Sequence, residues 1–291
     1  MKSKDLVKMY EGLYGEFNPG EWYWLVSYSG GKDSTLLLIT LLKFAESRGF
    51  KIHVVYNDTG GDVPELRNLA YRVLEFVKAR GHVIHVTRPE KAFFDYLLTQ
   101  YSPPRWNFRW CCRLTKERPF INLARELSRE KPVLNFLGLR REEARWRNWF
   151  MKRANDRLIY VAPLNNLSNS EVWELLRSES EGFMDFAYHE LRKIYGDAQR
   201  SGCWYCPLVI KDKFLESKPE LLKLKYEVLN SWCTGRREKI IELSRKYPDL
   251  IRITININEV SHHYPCGRKC TQCQVFKERR YLLKILKNEV R

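Results

Sequence analysis

The chain has 291 residues, with 51 Lys and Arg against 35 Asp and Glu and a formal net charge of +16. That length buries a substantial core and favours one large domain with an appendage over two equal ones. No apolar run is as long as a bilayer span and residues 1–17 lack the apolar centre of a signal peptide, so membrane and secreted classes are set aside and a cytoplasmic location is expected. The cationic surplus fits a polyanionic partner or, more blandly, a solvated, charge-rich surface. Eight cysteines without a secretory signal argue for metal or redox chemistry over disulfides.

Residues 1–20 carry a weak helical pattern (Leu6, Val7, Met9, Tyr10, Leu13) and end in an Asn18-Pro19-Gly20 turn. Residues 22–28 then form a short run rich in aromatic and β-branched side chains, read as a buried strand. The run breaks at Ser29-Gly30-Gly31-Lys32-Asp33-Ser34 and resumes at 36–45 as a segment apolar nearly all round, read as a helix sunk among other elements. Two glycines at such a junction let the backbone take positive φ and approach a ligand, and the first amides of the helix have no partner inside it. An anion fits there, favoured by the helix dipole and by the charge of Lys32. Ser29 and Ser34 offer hydroxyls, and Asp33 is placed to cap the helix or to face a metal ion. A Walker A loop is excluded, since Val26 stands where its first glycine belongs and Asp33 follows the lysine. No Gly-x-Gly-x-x-Gly follows the strand either. The hexapeptide at 29–34 instead resembles the pyrophosphate-binding loop of the ATP pyrophosphatases, enzymes that adenylate a substrate and release pyrophosphate.

Further along, residues 51–58 read as a second strand, 67–80 as a helix with Leu69, Val73, Leu74 and Val77 on one face, and 81–89 as a third strand. This alternation predicts an α/β fold, a parallel twisted sheet with crossover helices on its faces. Ligands of such sheets lie beyond the carboxyl ends of the strands, which makes Asp58 a candidate for nucleotide or magnesium contact, a turn or capping role being the alternative. His53, His82 and His85 fall inside strand-like runs and read as packed residues. In residues 105–119 basic and aromatic side chains alternate around Cys111 and Cys112, as on a surface that neutralises phosphates and stacks bases. A fourth strand at 133–139 runs into Arg140, Arg141, Arg145 and Arg147, and a further strand at 158–163 leads through 169–171 into a helix containing Val172, Trp173, Leu175 and Leu176.

Cys111 and Cys112 are adjacent, and Cys203-Trp204-Tyr205-Cys206 is a C-x-x-C. Thiols of ordinary pKa are only about 3% thiolate at neutral pH, so four together suit a metal that holds them deprotonated. An iron–sulfur cluster, zinc, and redox or buried unligated thiols all remain open, the adjacent pair favouring the bulkier cluster. Cys111-Cys112, the 138–145 stretch, Pro163-Leu164 and the 201–207 segment occur in the order seen in the phosphoadenosine phosphosulfate (PAPS) reductase-like family, and the resemblance covers about residues 22–214. It implies a PP-loop type nucleotide fold, a 4Fe-4S cluster on Cys111, Cys112, Cys203 and Cys206, and Gly138, Arg140, Arg141 and Arg145 facing nucleotide or substrate anion. Two features depart from the sulfonucleotide reductases of that family: the loop at 29–34 is intact, and no Glu-Cys-Gly-hydrophobic-His segment follows Phe214, Cys266-Gly267 lacking the flanking Glu and His. The intact loop looks closer to the branch that uses ATP for sulfur insertion, including DNA phosphorothioation enzymes.

The expected organisation is an N-terminal extension (1–20), a PP-loop domain (21–214) and a small, basic, helical, Cys-containing C-terminal region (215–291). In the last, Cys266, Cys270 and Cys273, with Cys233 and His262-His263 near them in sequence, suit a tetrahedral Zn²⁺ site, a second cluster or free thiols. The expected activity is ATP- and Mg²⁺-dependent sulfur transfer to a nucleic acid, tRNA or DNA, with a cysteine desulfurase as a possible sulfur donor. Its rivals are a sulfonucleotide reductase and a non-catalytic nucleic-acid-binding subunit.

Overall fold

A computed structural model describes residues 3–99, 104, 109–143, 149–198, 202–206, 213–255 and 274–288. The chain forms two compact units: Met1–Asn57, Glu65–Thr87 and Pro119–Ile194 make the first, and Asp58–Pro64, Arg88–Arg118 and Tyr195–Arg291 the second.

The first unit holds helix α1 (Ser3–Glu16), strand β1 (Tyr23–Tyr28), helix α2 (Lys32–Ser47), strand β2 (His53–Asn57), helix α3 (Pro64–Ala79) and strand β3 (Val83–Thr87). The order of the sheet is β3-β2-β1 on one side and then, past β1, β4 (Val133–Leu137), β6 (Leu158–Val161) and β5 (Met151–Asn155). All neighbours pair in parallel except β5 with β6. The fold is thus α/β with a mostly parallel sheet. The antiparallel β5 is an addition to the expected parallel sheet; its five residues are all exposed, so no buried alternation marks it in the sequence.

β1 and β4 are central and buried, and α2 is sunk along nearly its whole length, with twelve buried residues, as its all-round apolar character predicts. The order reverses between β1 and β4, so the loops after these strands share the switch point where α/β sheets bind ligands. On one face, Leu25, Val55 and Val133 form a core with Phe120, Leu123 and Leu127 of the next helix (Arg118–Glu130). The helix at Asn169–Ser180 begins with a capping box, in which Ser168 Oγ accepts from Glu171 N and the Glu171 carboxylate accepts from Ser168 N.

The second unit carries helix α4 (Phe93–Thr99) and a short helix α5 (Trp110–Cys112) that continues as a π-helical turn, Arg113–Glu117, into α6 (Arg118–Glu130). α7 (Asn169–Ser180) and α8 (Asp185–Tyr195) belong to the first unit as far as Ile194, and the second resumes with α9 (Lys213–Glu216), α10 (Pro219–Cys233), α11 (Arg237–Lys246) and α12 (Gln274–Asn288). Asp95, fully buried, accepts from Ala92 N, Thr254 N and Thr254 Oγ1, and Arg237 donates to the Leu98 carbonyl, so both ends of α4 are gripped by the C-terminal segment. Among the described residues no helix is long and apolar enough to cross a membrane.

Candidate nucleotide loop and cysteine centre

In the first unit, Gly30 takes φ +76°, and a Cβ there would stand 3.3 Å from the Ala70 side chain. Gly31 has extended backbone and is the N-cap of α2, so one glycine, not both, needs the left-handed region. The first intrahelical bond runs from Thr35 N to Gly31 O, which leaves the amides of 32–34 without a carbonyl four residues back. Ser34 Oγ accepts from Ser29 N, bonds Ser29 Oγ at 2.9 Å and donates to Gly31 O, pinning the loop into a ring of small groups.

Asp33 is not the cap of the helix: the N-cap position belongs to Gly31, which has no side chain. Its carboxylate is instead held on both oxygens, Oδ2 accepting from Lys32 Nζ at 2.9 Å and Oδ1 from Arg140 Nε at 2.5 Å. Lys32 and Arg140 are 1% and 3% exposed, so this triad sits out of bulk water. Arg140 also donates to Glu142, and Glu143 lies 3.9 Å from its other end. Burial pulls the guanidinium down, but Asp33 first and then Glu143 and Glu142 outweigh it and raise its pKa.

Gly138 brings the two loops together. A Cβ at that position would stand 2.9 Å from Ser34 N and 3.0 Å from the Asp33 carbonyl carbon, which are backbone atoms that cannot turn aside. Ser29, Gly30, Gly31, Lys32, Asp33, Ser34, Gly138 and Arg140 therefore share one site. Arg141 is exposed in the turn after β4 and its N–H donates to Asn165 O. Arg145 lies outside the described residues. The sequence reading missed Glu142 and Glu143, whose only signal was their spacing behind Arg140.

In the second unit, Asp58 is buried and accepts from Gly60 N and Arg88 Nε. Cys111, Cys112, Cys203 and Cys206 all belong to this unit. Two features bring the pairs together. Trp110, Phe93 and Tyr205 stack in series, with centroids 5.4 and 3.9 Å apart, linking the residue before Cys111 to the residue before Cys206. The C-x-x-C turn closes with Cys206 N donating to Cys203 O, while Trp204 N donates to Gly61 O. Gly61 has no room for a side chain: a Cβ would meet Tyr205 Oη at 2.6 Å and Cys203 Sγ at 3.0 Å.

The thiols feel one another. Cys112 is pushed toward thiolate, first by the neighbouring Cys111 and then by Lys116 and Arg109, while Cys111 is driven up by Cys112 and by burial. Burial raises Cys203 against the pull of Lys116, and Lys116 in turn is raised chiefly by Cys203, with Asp62 and Cys112 adding to it. Among the described residues no group of three or more His, Cys, Asp or Glu is arranged to hold a single metal ion. Cys233 ends α10 and is half-buried. Cys266, Cys270, Cys273, the neighbouring His262 and His263, and the basic-aromatic residues 105–108 lie outside the described residues.

A glycine loop feeding a buried helix at the switch point of a mostly parallel sheet defines a PP-loop type α/β protein. The model of the phosphoadenosine phosphosulfate reductase domain matches residues 24–208, and the chain belongs to that family. An uncharacterized protein of Methanocaldococcus jannaschii is 30% identical over 210 residues, which are 69% of this chain and 39% of the relative, so the chain spans well under half of that relative's length. Among solved structures, the phosphoadenylyl-sulfate reductase of Candida auris in a phosphate complex is 16% identical, covering 60% of this chain and 79% of its own at a TM-score of 0.43. The NMN synthetase of Francisella tularensis is 14% identical, covering 89% and 99% at 0.44. The FMN adenylyltransferase of Candida glabrata, with FMN and an ATP analogue, is also 14% identical, covering 60% and 56% at 0.43.

Proposed function

We propose that the protein binds ATP on the 29–34 loop, adenylates an oxygen of a nucleic acid with release of pyrophosphate, and so prepares that position for sulfur. The observation that carries this reading is the intact loop seated on the first turn of α2, with Asp33 clamped between Lys32 and Arg140. Family membership supports an adenine-nucleotide substrate. The β- and γ-phosphates would take the amides of 32–34, where donors and helix dipole favour an anion. Lys32 and Arg140 would then turn from Asp33 to the phosphates and stabilise the charge that builds as pyrophosphate leaves, while Asp33 becomes available to Mg²⁺. Arg141 and Arg145 are proposed to face the same anion.

Cys111, Cys112, Cys203 and Cys206 are proposed to hold a 4Fe-4S cluster. The four thiols lie near enough to act on one another's protonation, and four cysteine thiolates are the ligand set such a cube takes. Such a cluster supplies sulfur-handling or redox chemistry when bound. What this chain contributes is the stacked aromatic bridge that holds the two cysteine pairs, and Lys116, which offsets their negative charge. Cys233, Cys266, Cys270 and Cys273 are proposed for a second, zinc site. The nucleic acid would be tRNA or DNA, with a persulfide-bearing donor protein such as a cysteine desulfurase bringing the sulfur.

The test uses anaerobically purified protein whose iron has been counted. We expect pyrophosphate release from ATP that rises with tRNA or DNA and is abolished in Asp33→Ala. Sulfite release from an adenylyl sulfate without ATP use would replace this reading with that of a reductase, and polymer binding without nucleotide turnover would leave a binding subunit.

A further inference from the structure

The β5–β6 hairpin stands out because nothing in the loop or the cysteine centre uses it. Every residue from Met151 to Arg157 is exposed, and β5 is an edge of the sheet. The hairpin carries Lys152, Arg153 and Arg157 against one acid, Asp156, whose 3.3 Å pair with Arg153 is open to water on both sides and so is weak. Phe150 and Met151, 41% and 36% exposed, add an apolar foot at its base.

The turn is fixed in place. Arg157 Nε donates to Ser128 O near the end of α6, and Tyr160, opposite Lys152, packs on Phe120 of the same helix. α6 extends the basic surface: Arg125 lies one turn before Ser128 and Arg129 beside it, both exposed. The acids of α6 lie on a different stripe, where Glu130 acts on the Tyr23 hydroxyl and Glu126 on His85.

Among the described residues β5 has one strand neighbour, and such an edge invites a second strand, but two copies pairing antiparallel about Arg153 would set that arginine against itself, with Lys152 close by. Cations in that position block self-pairing and leave a polyanion as the fitting occupant. We propose that this hairpin, with Arg125 and Arg129, is the ribbon along which the phosphate backbone of the nucleic acid lies, Phe150 offering a ring for a base to stack on. This rests on the nucleic-acid reading above and names the surface for it.

The experiment compares wild type with K152E/R153E/R157E, and with the milder K152Q/R153Q/R157Q, each shown by thermal melting to be folded. Binding to a 20-nucleotide single strand and to a 20-base-pair duplex is measured across salt concentration. Wild-type affinity should fall steeply with salt, and the log–log slope should shrink by about 2 to 3 in both variants, as three lost phosphate contacts require. The arm with the larger change identifies single strand or duplex as the partner. Unchanged slopes in both variants, beside a wild type that binds, overturn the hairpin proposal and leave the function standing. A wild type that binds neither probe overturns both. A variant that alters sedimentation but not binding assigns the edge to a second copy and overturns the proposal as well.

Discussion

At the scale of single residues, the account turns on three side chains and one missing one. Lys32, Asp33 and Arg140 neutralise one another where water is scarce, and removing one member of such a group typically costs about 3 to 5 kcal/mol because the others stay buried and unpaired. Gly138 is required by space, not by torsion. Gly138→Ala should push the helix start off the β4 loop, costing about 1 to 3 kcal/mol and lowering nucleotide affinity. Calorimetric melting together with ATP titration checks this; an alanine variant with unchanged melting and binding would show that the two backbones are not locked. The sequence made the glycines and Lys32 legible because their chemistry is local. The Asp33–Arg140 bond was not legible, since 107 residues separate its ends and only folding brings β1 and β4 side by side.

At the scale of elements, the strands and α2 were readable from apolar runs, whereas β5 was hidden because it buries nothing. The histidines of β2 and β3 were readable as packed residues but not as a pair. His53 Nδ1 lies 3.0 Å from His85 Nε2, with the Tyr23 ring tilted against His53 at 4.4 Å. Burial first, and then His85, lowers His53 to about 4, with Lys131 adding and Glu130 opposing. Burial likewise lowers His85 against Glu126, and His82, whose Nδ1 accepts from Ile52 N, against Glu46. Folding thus favours the neutral rings, so between pH 6.5 and about 4 the unfolded chain binds more protons than the folded one and stability falls as the pH drops. The slope from His53 alone is at most about 1.4 kcal/mol per pH unit, and less for a half-buried ring. Denaturant midpoints measured across that window should decline with acid, and His53→Phe should flatten the decline. A midpoint rising toward pH 4 would contradict the assignment.

At the scale of the whole molecule, the family match over residues 24–208 takes in both the loop and the C-x-x-C. The division into two compact units assigns them separately, the loop to one and all four cysteines to the other. That division was not legible in the sequence, because the second unit is assembled from three separate stretches of chain. What linear order could not show was how the pairs meet: the Trp110–Phe93–Tyr205 stack joins side chains from two of those stretches. The claim on which the enzymatic account depends is that the first turn of α2 receives the outer phosphates of ATP. A crystal structure with a non-hydrolysable ATP analogue and Mg²⁺ tests it directly. The account predicts the β- and γ-phosphates on the amides of 32–34, with Arg140 drawn from Asp33 toward them. A nucleotide bound with its phosphates elsewhere, the Lys32–Asp33–Arg140 triad still closed, would contradict it.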